Sequence, residues 1–155
     1  MQARMKQNQL SAEAVDQLMS KQEVGHLATL NTDGFPYVVP VHFVKTGNEI
    51  FIHGLNLGQK LANIKANAKV CFEVEEMAGL ILDDKACDVN TKYQSVIAFG
   101  QAEMVEETAD KVAALDKIVA KYTPQLSGQQ YPENMLKGTG VIKITIESIT
   151  GKYFG

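Results

Sequence analysis

Residues 26–53 read HLATL (26–30), NTDG (31–34), FPYVVPVHFV (35–44), KTGN (45–48) and EIFIH (49–53), and this stretch decides the fold. Three apolar, β-branched runs are separated by two short polar segments, the pattern of an antiparallel meander. Asp33-Gly34 is hairpin chemistry, because glycine accepts the positive φ that tight turns require. Pro36 and Pro40 lie four residues apart, so their missing N–H groups fall on the same edge of the middle run. Proline is confined to strand edges, starts and bulges. That edge is therefore expected to face something other than a full ladder partner: a ligand lying along it, a barrel that splits open there, or both.

Working outward, residues 11–21 read as a short helix capped by Ser11, with Leu10 and Val15 as a staple around the cap. Val15, Leu18 and Met19 give it one apolar face. Residues 57–66 read as a second helix, with Asn56 as N-cap and Gln59 as its capping-box partner. KVCFEVE (69–75) reads as a strand, 76–92 as a loop and 93–107 as a long strand, in which Gly100 marks a bulge or a close approach. Thr108 is expected to cap a helix carrying Val112, Leu115, Val119 and Tyr122 on one face, stopped by Pro124. Residues 124–138 are polar and turn-rich. In 139–148, Ile142, Ile144 and Ile146 alternate with polar residues, as in a half-buried strand. The expected class is mainly β with short helices, about six strands forming a small antiparallel barrel.

The 155 residues suit a single domain spanning 1–155. A hydrophobic fraction of 45% with 21% charged residues is that of a globular chain. A net charge of -3 and a pI near 5.6 argue against nucleic acid as the partner. Arg4 is the one arginine, so an anion bound in the body of the chain must be held by lysine, main-chain N–H groups and hydroxyls. Cys71 and Cys87 are too few for a disulfide framework and form no C-x-x-C pair, and the three histidines show no metal-ligand spacing. No metal site is expected. The polar N-terminus lacks the apolar core of a signal peptide, and no run approaches the ~20 residues that span a bilayer. The expectation is a soluble, reduced, cytoplasmic protein without a membrane partner.

The richest stretch for chemistry is 50–72, which holds Lys60, Lys65 and Lys69 and no acidic residue. Its order is strand, glycine-containing loop, helix, and a helix N-terminus favours phosphate through its unpaired N–H groups and dipole. Lys60 would add a charge there, whereas Lys65 and Lys69 read as a solvated face. The spacing is not that of a Walker A loop. His53 precedes Gly54 at the mouth of this loop. His42 reads as packed or interfacial, and His26 carries little signal alone. Cys71 alternates within a core strand and reads as a buried structural thiol, while Cys87 lies in a loop. Tyr93 and Ser95 share a strand face and could line a ring-binding wall. No nucleophilic triad or carboxylate pair stands out, so no catalytic residue is named and any redox chemistry falls to a cofactor.

Taken together, the segments resemble the FMN-binding split-barrel proteins related to pyridoxamine 5'-phosphate oxidase, and most of all their nitroimidazole-resistance group. The matching motifs are Pro36 to Pro40, His53 through Lys60 to Ile64, Val70 to Phe72, and Cys87 through Tyr93 and Ser95 to Gly100. The likeness runs over about residues 22–106 and the closing ITGK (149–152). It implies a six-stranded split barrel that forms a homodimer with FMN in clefts at the interface. It places the flavin phosphate near His53, Gly54, Leu55, Asn56, Gln59 and Lys60, and the ring system along Val39, Pro40 and Val41. Tyr93, Ser95 and Val96 would contribute from the partner or the adjacent wall. The implied activity is a nitroreductase-like oxidoreductase moving electrons from NAD(P)H to a small organic acceptor; the alternative is a flavin- or haem-binding protein without turnover. Val39 stands where the vitamin-B6 oxidases carry a strand arginine, Ser95 where they carry glutamine, and the chain ends GKYFG. Oxidation of pyridoxamine phosphate is therefore not expected.

Overall fold

The computed structural model describes residues 6–155; Arg4 lies outside them. In chain order the elements are α1 (Ala12–Lys21), β1 (Gly25–Leu30), β2 (Pro36–Val41), β3 (Phe43–Thr46), β4 (Glu49–Leu55), α2 (Gln59–Ala66), β5 (Lys69–Ile81), β6 (Asn90–Met104), α3 (Thr108–Tyr122), a 3-10 turn (Pro124–Leu126), α4 (Glu133–Gly138) and β7 (Thr139–Phe154). The seven strands form one antiparallel sheet in the order β2-β1-β5-β6-β7-β4-β3. Seven strands replace the expected six because the run 35–44 divides at His42. Its first part pairs with β1, at one edge of the sheet, and its second with β4, at the other. One residue thus joins the two outermost strands, so the sheet curls until its edges meet. No ladder closes it there. The prolines read this correctly: β2 pairs on one side only.

Leu27, Phe43, Ile50, Ile52, Phe72, Val74, Val96, Ile142 and Ile144 fill the interior, and α1 closes it with Val15, Leu18 and Met19. Ser11 caps α1 as expected, its Oγ accepting from the Ala14 N–H at 3.2 Å. Outside the sheet, α3 lays Ala114 and Leu115 on Phe51 and Val141. That is why EIFIH is apolar at consecutive positions: β4 is covered on both faces. At Gly100 the β6–β7 register shifts, and a β-carbon would lie 2.2 Å from the Thr145 carbonyl oxygen. No helix among the described residues is long and apolar enough to cross a membrane.

Four local expectations are corrected. Residues 76–81 continue β5 instead of looping, paired to β6 across a bulge at Met77–Gly79. Asn56 does not cap α2; Gly58 stands at the N-cap, and the Asn56 side chain donates to the Lys137 carbonyl at 2.8 Å. Glu107, not Thr108, precedes α3, and the buried face of that helix is Ala114, Leu115 and Ile118. Cys71 is half-buried on the face opposite Val70, Phe72 and Val74, so it lies outside the core.

Candidate functional site

The seam between β2 and β3 is where the candidate residues converge. Phe43 follows His42 and stands opposite Ile52, so His42 reaches His53, their ring centroids 6.4 Å apart. The next residue is Gly54, and a β-carbon there would lie 3.5 Å from the Lys60 Nζ. Val39-Pro40-Val41, His42, His53, Gly54 and Lys60 thus form one continuous surface, from the open β2 edge across the seam to the first turn of α2.

Lys60 has a specific electrostatic setting. The first turn of α2 contains no acidic residue, and no side chain caps it, because its N-cap is Gly58 at φ 133°. Nothing lies within 4 Å of where a Gly58 side chain would begin. Among the described residues no carboxylate pairs with Lys60. An uncapped helix N-terminus with an unpaired ammonium in its first turn suits a phosphate. Leu55 is 76% exposed on the approach to this loop.

Sequence reasoning missed the anchor of this helix. Asn63 is fully buried; its amide donates to Thr29 Oγ1 at 2.9 Å and to Asn31 Oδ1 at 2.8 Å, while its Oδ1 accepts from Gln59 Nε2 at 2.8 Å. Both amide protons and the carbonyl are satisfied, so the network ties α2 to the β1–β2 hairpin and fixes where Lys60 stands. Gln59 therefore has a structural partner besides any ligand. The only signal available was a polar side chain on the inner face of a short helix.

Tyr122 was also missed as a seam residue. Its hydroxyl accepts from the Phe43 N–H at 2.9 Å and faces the carbonyls of Glu23, 2.6 Å away, and Phe43, 3.0 Å away. A phenol thus stands where the open edge of β3 would otherwise meet a neighbouring strand. The His42 ring stacks on Tyr122 at 4.5 Å between centroids. His42 is consequently held, although exposed. Burial, with a smaller contribution from His42, lowers the His53 pKa below the ordinary imidazole value. His53 is therefore a neutral imidazole at pH 7 and above, able to offer one N–H.

Tyr93 and Ser95 lie away from the His53–Lys60 end of this surface. Ser95 stands opposite Lys152 near the end of β7, whereas His53 stands opposite Val141 near its start. Eleven residues of strand separate those positions, about 36 Å of contour at about 3.3 Å per residue. Val96 turns inward at 1% exposure and offers no side chain to a ligand.

The family model for pyridoxamine 5'-phosphate oxidase matches residues 11–153. The chain belongs to the pyridoxamine 5'-phosphate oxidase family. Among solved structures, a Bacteroides thetaiotaomicron protein assigned to 5-nitroimidazole antibiotic resistance superposes with a TM-score of 0.83 at 24% identity, covering 95% of this chain and 87% of that one. The flavocytochrome of Azotobacter vinelandii gives 0.83 at 22% identity, covering 94% and 68%. An FAD- and heme-binding protein of Mycobacterium smegmatis gives 0.81 at 22%, covering 94% and 73%. At these identities the likeness shows a shared fold. No curated protein matches the chain. The pyridoxamine 5'-phosphate oxidase family thus includes a member whose candidate anion site holds a lysine and no described arginine.

Proposed function

We propose that this protein is a flavoprotein that binds FMN along the β2–β3 seam and acts as a nitroreductase-like oxidoreductase, taking electrons from NAD(P)H and delivering them to a small organic acceptor. The observation that carries the reading is the Lys60 ammonium against Gly54, beside the uncapped, acid-free start of α2. Flavin-binding relatives with the same fold support it. The residues present fit the group: Lys60 and the first-turn N–H groups would hold the phosphate, and the open side of Val39, Pro40 and Val41 offers main-chain groups to the ring system. When bound, the flavin supplies reversible one- and two-electron chemistry. The chain's part is to orient the ring, and neutral His53 can donate a hydrogen bond without adding charge. The reading includes a homodimer in which Tyr93 and Ser95 of one copy reach the flavin of the other.

The experiment is a titration of the purified chain with FMN and FAD, followed by visible absorption and flavin fluorescence, for wild type and Lys60→Ala. Saturable FMN binding that weakens by about 10- to 100-fold in the variant, the worth of a charge-assisted hydrogen bond, is expected. A Soret band on addition of haem, with no flavin binding, would favour the haem-binding alternative.

A further inference from the structure

Three side chains on the outer face of the sheet take no part in the flavin reading. His26 on β1 stands opposite Glu73 on β5, and Glu75, two residues on, shares that face. His26 Nδ1 lies 3.2 Å from Glu73 Oε2 and 3.7 Å from Glu75 Oε2, and all three donor atoms lie within 4.8 Å of one another. Among the described residues neither carboxylate is paired with a lysine: Lys21 is taken by Glu76, and Lys152 lies over the Tyr93 ring. Two carboxylates beside one imidazole leave negative charge for a cation to meet.

The spacing indicates what kind of cation. A charge-assisted N–H···O bond closes to about 2.7–2.9 Å, and both His26 distances are longer. A tetrahedral ion with ligands at about 2.0–2.1 Å sets its donor atoms about 3.3 Å apart, a value the two distances bracket. We propose that His26 Nδ1, Glu73 Oε2 and Glu75 Oε2 form a site for a borderline divalent cation of the zinc type, with solvent completing its coordination. An imidazole among carboxylates favours such an ion over Mg2+ or Ca2+. The ligands sit on paired strands, so their spacing is fixed by the ladder rather than by a loop. His26 neighbours Pro40 in β2, and Glu75 neighbours Ser95 in β6, so the ion would lie on the face between two segments of the candidate flavin site. Its binding requires no flavin.

The test uses the full-length, flavin-free chain after chelator treatment. Zn2+ and Mg2+ are titrated by calorimetry into wild type, His26→Gln and Glu73→Gln, while the histidine resonances of wild type are followed by NMR. The site predicts one Zn2+ per chain, no uptake of Mg2+, and affinity reduced by about 100-fold or more in each variant, since even residues behind the ligands cost 10- to 100-fold. It also predicts that the His26 ring signals move while those of His42 and His53 do not, a readout that needs no variant to fold. No Zn2+ uptake by wild type, unchanged affinity in folded variants, or shifts confined to His42 and His53 would overturn the proposal.

Discussion

Replacing Tyr122 with phenylalanine removes one oxygen from the seam and leaves the ring that supports His42. In the wild type that oxygen accepts the Phe43 N–H and directs its one proton to the Glu23 carbonyl, the nearer of the two facing it. Burial raises the Tyr122 pKa, so the phenol remains a donor at any ordinary pH. Phe43 is fully buried, so its freed N–H has no ready access to water. An unsatisfied buried donor costs about 1–3 kcal/mol, whereas the carbonyl of Glu23, just ahead of β1, can turn to solvent at little cost. The expected loss is about 2 kcal/mol, or about 4–8 °C in Tm for a domain of this size. Urea and thermal unfolding would measure it. Hydrogen exchange at the Phe43 amide should accelerate well beyond that of its neighbours in β3. A loss below about 0.5 kcal/mol with unchanged exchange would refute the idea that the phenol closes the seam.

Three further outcomes are expected. Asn63→Ala leaves Thr29, Asn31 and Gln59 without their shared partner and opens a void, so chemical unfolding should show about 2–4 kcal/mol of lost stability, with FMN affinity falling as α2 loosens. Gly54→Val should weaken FMN binding about tenfold with little change in Tm, because its methyl groups reach the space of the Lys60 ammonium; Gly54→Ala, at 3.5 Å, should bind nearly as wild type. Lys121 packs over Phe43, and burial lowers its pKa from 10.5 to about 8. Between those values the unfolded chain holds the proton that the folded chain has released, so this group's contribution to stability rises with pH across that window. Comparing the pH dependence of unfolding in wild type and Lys121→Met should show that rise only in the wild type.

What the sequence disclosed, and what it hid, follows from the range of each interaction. Pro36 and Pro40 act through their own missing N–H groups, so the β2 edge was legible. So were the alternation of Ile142, Ile144 and Ile146 and the Ser11 cap, each set within a few residues. Residues 76–81 were misread because Gly79, at φ 136°, sits at a bulge that breaks the alternation while the β6 partner keeps the strand paired. The Asn56 side chain could reach the α2 N-terminus in sequence but is taken by the Lys137 carbonyl, 81 residues away. Tyr122 looked like one more apolar position of a helix, since its partner Phe43 is 79 residues distant. Lys60, His53 and Gly54 could be placed together because one loop joins them. The separation of Ser95 from them emerges only from the β6–β7 and β4–β7 registers. His26 was silent for the same reason: its carboxylate neighbours come from β5, 47 residues later.

The proposed flavin site turns on a phosphate held at the seam beside Lys60. Its most direct test is a fluorescence titration of FMN into the full-length chain, repeated with riboflavin, which lacks the phosphate. Saturable FMN binding is expected, with riboflavin weaker by about 10- to 100-fold and Lys60→Ala reducing FMN affinity nearly to the riboflavin level. Equal affinity for FMN and riboflavin, or FMN binding that ignores the loss of Lys60, would contradict the proposed site.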